Sequence, residues 1–230
     1  MQKSIEELVK EYNSSISFGL SEADIEISKE KYGRNVLEEK KKKSLFVRFL
    51  EQFTDALIIV LLASGVVSII VDPSEWVDSL IIFIVIIVNA ILGVVQEARA
   101  EKSLDALKKL STPTCKVIRN GKVISIDTKE LVVGDIIEVE AGDFIPADAR
   151  IIECSNLKVD ESALTGESVS VLKNDSNTLS EVYGLGDMKN CLFSSTFVTN
   201  GKAKAIVTSV GMKTEIGKIA TSLMSDTETK

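Results

Sequence analysis

The sequence predicts an α+β membrane protein in which a transmembrane helical hairpin is joined to a β-rich domain of distorted jelly-roll form and to short N-terminal helices. Two observations predict the hairpin: no residue between Asp55 and Asp72 is charged, and none between Asp78 and Glu97. A third predicts the β-domain. Past Pro113 the apolar period changes from helical to alternating, with Asn120-Gly121 set between two alternating runs.

From the N-terminus, Ile5, Leu8, Val9 and Tyr12 form a helical stripe within residues 1–13. Ser21 is placed to cap a second helix, with Asp24 three residues on; that helix runs through Ile25 and Ile27 toward Tyr32 and stops at Gly33. Residues 1–50 are read as an N-terminal helical segment that completes the β-domain.

The hairpin occupies 51–98, with spans at about 54–72 and 77–96. The uncharged gaps are 16 and 18 residues long, and a bilayer span needs about 20. Phe53, Trp76 and Val77 extend each helix by about a turn and anchor it at the interface. A buried hairpin in a soluble protein is the alternative, but neither aliphatic run has a polar face to show water. Lys40 to Lys43 and Arg48 precede the hairpin, Arg99, Lys102, Lys108 and Lys109 follow it, and the link Asp72-Pro73-Ser74-Glu75-Trp76 carries only acidic charge. Positive charge marks the cytoplasmic side, so both ends are expected inside and the link outside, in an integral membrane protein. Asn89, mid-span with Gly93 one turn later, reads either as a functional polar group or as an interhelical hydrogen bond beside a small-residue contact.

Residues 99–112 continue as a stalk helix, with Leu104, Leu107 and Leu110 on one side, Glu97, Glu101 and Lys102 on its surface, and Ser111-Thr112-Pro113 ending it. The β-domain covers 113–224. It opens with the Asn120-Gly121 hairpin and continues in short strands near 136–139, 149–152, 157–159, 192–198 and 202–208, before a helix from Thr214 to Met224. Residues 225–230 read as a polar leader to a third span outside this chain.

Composition excludes several chemistries. A net charge of −7 argues against nucleic acid as a partner. The lysine run before the first span suits anionic lipid, so the bilayer is the expected partner. Histidine is absent, which removes imidazole catalysis and leaves proton transfer to carboxylates. Cys115, Cys154 and Cys191 are odd in number and widely spaced, as reduced structural thiols would be. Gly211 to Lys218 superficially suggests a phosphate loop, but five residues separate its glycines and Ile219 stands where a magnesium-binding hydroxyl is needed. No cofactor or metal site is therefore expected within this chain.

Asp135, Asp143 and Asp148 read as turn residues that bind nearby amides. Asp160-Glu161 is either a working carboxylate pair or an N-terminal charge on the segment that follows. Thr165-Gly166-Glu167-Ser168 puts a glycine that permits close approach, a carboxylate and two hydroxyls in one loop. By itself it is either an exposed acidic loop or a site that positions water for phosphoryl hydrolysis.

The run Val159 to Val169 containing Thr165-Gly166-Glu167-Ser168, placed after Gly142-Asp143-Phe144-Ile145-Pro146-Ala147-Asp148 and the hairpin, resembles the actuator domain of P-type cation-transporting ATPases. Gly19-Leu20-Ser21 with Lys31 to Leu37 is similar to the N-terminal segment of cation ATPases. Asn89 to Glu97, Ala100 to Leu107 and Thr214 to Ile219 look most like calcium pumps of the sarcoplasmic-reticulum and bacterial kind. The resemblance implies that Glu167 positions the water that hydrolyses an aspartyl phosphate, with Thr165, Gly166 and Ser168 docking the loop. It also implies partners outside this chain: the phosphorylation domain, the nucleotide-binding domain and further membrane helices, with ATP and Mg2+ bound there and Ca2+ as cargo. Thr54 stands where calcium pumps often carry a carboxylate, so sodium, potassium, protons or magnesium remain alternative cargoes. A membrane-anchored regulatory module without catalysis is the other alternative.

Overall fold

The computed structural model describes residues 3–37, 44–72, 74, 76–110, 113–176 and 184–228, with the backbone alone for 104–110 and 224–228. Lys40 to Lys43, Pro73, Glu75, Ser111, Thr112 and the last two residues lie outside the described residues, as do the side chains of Leu104, Leu107 and Leu110. The chain divides into two compact units, residues 39–111 and residues 1–38 with 112–230.

Among the described residues, the apolar unit holds three helices, α3 (Leu45–Gln52), α4 (Ala56–Val71) and α5 (Trp76–Leu110). The helices pack through small or flat positions: Ile58 and Gly65 of α4 are buried, as are Ser79, Ile86 and Ala90 of α5. A Cβ added at Gly65 would meet the Phe83 ring at 3.4 Å, so the glycine sets the approach of the two helices. Within the stretch Trp76–Ser103, long and apolar enough to cross a membrane, an 18-residue window has a mean hydropathy of 2.7, and only 22% of that window is buried. A soluble core helix would be covered; this one is not. α3 and α4 pass the same test as a pair bent by 65°. The bend has a local cause. Asp55 Oδ1 accepts the Leu57 amide at 2.9 Å and starts α4 afresh, while Phe53 terminates α3 instead of lengthening the span. Alone, α4 is 16 residues, about 24 Å at 1.5 Å per residue.

α3 is fastened to α5 by charge. Arg48 reaches Glu101 at 2.7 Å and Glu97 at 3.7 Å, and the Gln52 amide group lies over Gly93. Glu97 and Glu101 thus serve Arg48 as well as the helix surface. Asn89 is exposed on the hairpin and not buried against α4.

Among the described residues, the second unit is built on one antiparallel sheet of seven strands: β1 (Thr114–Arg119), β2 (Lys122–Asp127), β3 (Ile136–Glu140), β4 (Asp148–Asp160), β5 (Val171–Leu172), β6 (Cys191–Leu192) and β7 (Phe197–Ser209). Its order is β2-β1-β3-β7-β4-β5, with β6 also on β4. Asn120 and Gly121, at φ 50° and 70°, turn β1 into β2 in the register Arg119↔Lys122 that the sequence predicts.

The strands at 149–152 and 157–159 are one strand, and the run expected at 192–198 divides between β6 and β7. Bulges account for the first difference. Asn156 at φ 49° faces Gly201 at φ 80°, where a Cβ would sit 2.3 Å from Ser155 O, so the ladder bends there without ending. A turn accounts for the second: Ser195 has φ 67°, and the Thr196 hydroxyl donates to Phe193 O at 2.7 Å.

One sheet face carries the main core around Ile137, Ile151, Leu157, Val159 and Val198. On the other, Ile118, Ile136 and Ile206 stand in register across β1, β3 and β7 and are covered by Leu8 of α1 (Ile5–Glu11). α1 is capped by Ser4 and Glu7 in a reciprocal box, and α2 (Glu22–Tyr32) by Ser21 with Asp24 at its third position. Ser14 and Ser28 donate to the carbonyls of Gly134 and Val133 at 2.7 and 2.6 Å. Asn35 donates to Thr128 O and Pro146 O and accepts the Gly211 amide at 2.9 Å. The N-terminal helices are thereby part of the β-domain. α7 (Glu215–Glu228) follows a tight turn and extends past Met224.

Candidate functional site

β4 delivers the loop. Its last residue, Asp160, accepts the Ser162 amide at 2.9 Å and starts the short helix α6 (Ser162–Thr165); the Ser162 hydroxyl first, and then this amide, hold the carboxyl below its ordinary range. Asp160 therefore has the N-terminal charge role. The carbonyl of Glu161 accepts the amides of Leu164 and Thr165, both at 2.9 Å, and the Thr165 hydroxyl at 3.1 Å. Gly166 ends the turn at φ 75°, a left-handed conformation that a side chain would strain, and its open surroundings leave the backbone accessible.

Glu167 follows at the tip, exposed together with Gly166 and Ser168, while Thr165 is half-buried. The Glu167 amide donates to Thr165 Oγ1 at 3.2 Å, so the backbone is tethered while the carboxylate projects outward. The returning chain is tied as well: Thr199 Oγ1 donates to Lys158 O at 3.1 Å and lies 3.3 Å from Ser170 Oγ. The turn Leu185–Asp187 backs the loop, since a Cβ at Gly186 would lie 3.8 Å from Thr165 Cγ2.

Beneath the loop is a feature with no signature in the sequence. The Glu161 carboxylate meets Lys173 Nζ at 2.5 Å, with side-chain exposures of 1% and 0%. Burial pushes the Glu161 carboxyl up and the Lys173 amine down from their ordinary values, and each opposes the other's shift by its charge. Lys173 also donates to Met188 O at 3.2 Å and lies over the Phe193 ring at 5.3 Å. Glu161 is thus a buried, paired carboxylate and not a surface charge. Residue type alone does not separate a buried lysine from a solvated one.

The other carboxylates are structural. Asp143 accepts the Glu140 amide at 2.9 Å. Asp135 accepts the Val132 amide and grips Arg119 with both oxygens, at 2.8 and 2.6 Å. Asp148 is buried, accepting the amides of Ser194 and Glu215 at 2.8 Å each. Gly211 packs against the carbonyls of Arg34 and Val36, and Gly217 against Gly211 itself, so neither glycine of that stretch is open to a phosphate. All three cysteines are free thiols, and burial, aided by Asp135, pushes Cys115 up to about 12.

Residues 109–224 match the family model of the P-type ATPase actuator domain, and residues 1–68 that of the cation transporter/ATPase N-terminus. The chain is 47% identical over 218 residues to Calcium-transporting ATPase 1 of Lactococcus lactis, covering 95% of this chain and 24% of that protein. It is 48% identical over 202 residues to a calcium-transporting ATPase of Listeria monocytogenes, covering 88% of this chain and 23% of that protein. It is also 41% identical over 224 residues to Sodium/potassium exporting P-type ATPase 1 of Saccharomyces cerevisiae, covering 96% and 20%. The chain spans about a quarter of the length of these curated relatives.

Proposed function

This chain belongs to the P-type ATPases and carries their actuator domain, and from that premise we propose that Glu167 acts on an aspartyl phosphate formed elsewhere in a complete ATP-driven cation pump. The observation that carries the proposal is the loop itself: an exposed carboxylate on a short, left-handed tip whose backbone is held by Thr165. Such a tip can enter another surface without rearranging.

In this reading a Glu167 oxygen accepts a proton from water as the water oxygen bonds to phosphorus. The phosphorus–oxygen bond to the aspartate breaks, its electron pair returns to that carboxylate, and inorganic phosphate leaves. Thr165, Gly166 and Ser168 dock the loop. ATP and Mg2+ belong to the phosphorylation and nucleotide-binding domains of the complete pump, outside this chain. α4 and α5 form the first membrane hairpin, with both ends on the cytoplasmic side of a bacterial cell membrane, and rotation of the β-domain couples hydrolysis to their movement.

Calcium is the proposed cargo, supported by the calcium-transporting relatives. A second reading, sodium or potassium, is favoured by the 41% identity to the yeast exporter. Cation-dependent ATP hydrolysis by the complete protein separates the two.

The test of Glu167 is Glu167→Gln in the complete pump. Phosphoenzyme should form normally and decay about 10² to 10⁴ times more slowly after a chase with unlabelled ATP, the cost of losing a positioned base. Decay at the wild-type rate would remove Glu167 from the chemistry.

A further inference from the structure

We propose that the Glu161–Lys173 ion pair is a positioning clamp for Glu167, holding both feet of the loop in register so that the carboxylate tip arrives in one orientation. The proposal rests on the assignment of Glu167 to dephosphorylation. Three observations carry it. The two residues bracket the loop, one where the chain leaves β4 and the other where it returns after β5. They meet at 2.5 Å with essentially no exposure. Each is also fixed through its backbone: the Glu161 carbonyl accepts the two amides and the hydroxyl that shape α6, and the Lys173 amide donates to Leu157 O at 2.9 Å.

The chain of restraint then runs from Lys173 to Glu161, from the Glu161 carbonyl to the Thr165 hydroxyl, and from that hydroxyl to the Glu167 amide. Stability alone is a poor account of the pair. Desolvating two charges offsets most of their attraction unless many hydrogen bonds surround them. Here the Glu161 carboxylate has no hydrogen bond among the described residues besides its contact with Lys173, and an apolar pair would fill the same space. A buried charge pair at the foot of a loop is instead a directional constraint, because either partner is costly to bury without the other.

The test uses the complete pump and three variants: Glu161→Gln/Lys173→Met, which removes both charges at similar volume; Glu161→Gln alone, which keeps an acceptor for the amine; and Glu167→Gln as the reference. Phosphoenzyme formation and decay are measured separately. The double variant should form phosphoenzyme at the wild-type rate and decay roughly 10- to 100-fold more slowly, the scale of a misplaced reacting group, with Glu161→Gln between it and wild type. Combining the double variant with Glu167→Gln should slow decay no further than Glu167→Gln does, because the clamp acts through that carboxylate.

Wild-type decay in the double variant, alongside slow decay in Glu167→Gln, overturns the clamp and leaves the function of Glu167 standing. Multiplicative slowing in the combined variant overturns it too, because the pair would then act independently. Failure of both pair variants to take up phosphate would make the pair a requirement of the fold, which likewise overturns a positioning role. Wild-type decay in Glu167→Gln fails the functional reading first, and the clamp with it.

Discussion

The amide of Glu167 donates to the Thr165 hydroxyl at 3.2 Å, and that hydroxyl donates in turn to the carbonyl of Glu161 at 3.1 Å. One hydroxyl thus links the exposed tip to the buried base of the loop. Thr165→Val keeps the shape and removes both bonds, whereas Thr165→Ser keeps the bonds. In the complete pump the valine variant should slow phosphoenzyme decay about tenfold or more while formation is unchanged, and the serine variant should behave as wild type. Wild-type decay in the valine variant would show that the hydroxyl bonds do not matter.

Asp135 and Asp143 occupy similar Gly-Asp turns but differ in what they hold. Asp135 is buried against Arg119 through two bonds, and Asp143 accepts a single amide in a half-buried turn. Asp135→Asn leaves the guanidinium without its countercharge and should cost about 3–5 kcal/mol. Asp143→Asn should cost about 1 kcal/mol. Thermal unfolding of the detergent-solubilised protein compares them; equal losses would refute the distinction.

Asp148 predicts a pH dependence. Burial raises its pKa from 3.8 to about 6, against the two amides that lower it. The fold therefore holds this proton more tightly than the unfolded chain does. The contribution is fully present below about pH 4 and is lost as pH rises through about 6, amounting to about 3 kcal/mol. The destabilisation caused by Asp148→Asn should therefore shrink between pH 4 and pH 7. A difference between wild type and variant that does not change with pH would show that the two amides balance burial.

If α4 and α5 cross the bilayer with both ends inside, the chain should resist carbonate extraction, and protease should reach the β-domain from the cytoplasmic side alone. Lys122, exposed at the hairpin turn, is the expected cut, whereas Lys173 is buried and should survive while the domain is folded. Cleavage at Lys122 from outside would invert the topology.

How much could be read in advance follows the range of the interactions concerned. Ser21 and Asp24 cap α2 across three residues, and Asn120-Gly121 turns a hairpin within two. Such signals are local, so they are written in order along the chain. The continuity of β4 was not legible, because it depends on a bulge opposite Gly201, some 45 residues away in sequence. The bend at Asp55 is hidden in the sequence for a different reason: mean hydropathy averages over a cap, and a single carboxylate accepting the Leu57 amide restarts the helix.

The sequence by itself determined the apolar hairpin, the switch to an alternating period, the absence of imidazole chemistry and the place of Glu167 in its loop. Each is a property of composition or of near neighbours, where solvent transfer and backbone preference decide. Tertiary structure alone decided which charges are buried. Glu161 and Lys173 are separated by the whole loop, as Arg119 and Asp135 are by a hairpin, and each pair exists because the fold removes water from both partners at one place. Desolvation makes a charge seek one specific neighbour, and no residue carries that neighbour's address in its own chemistry.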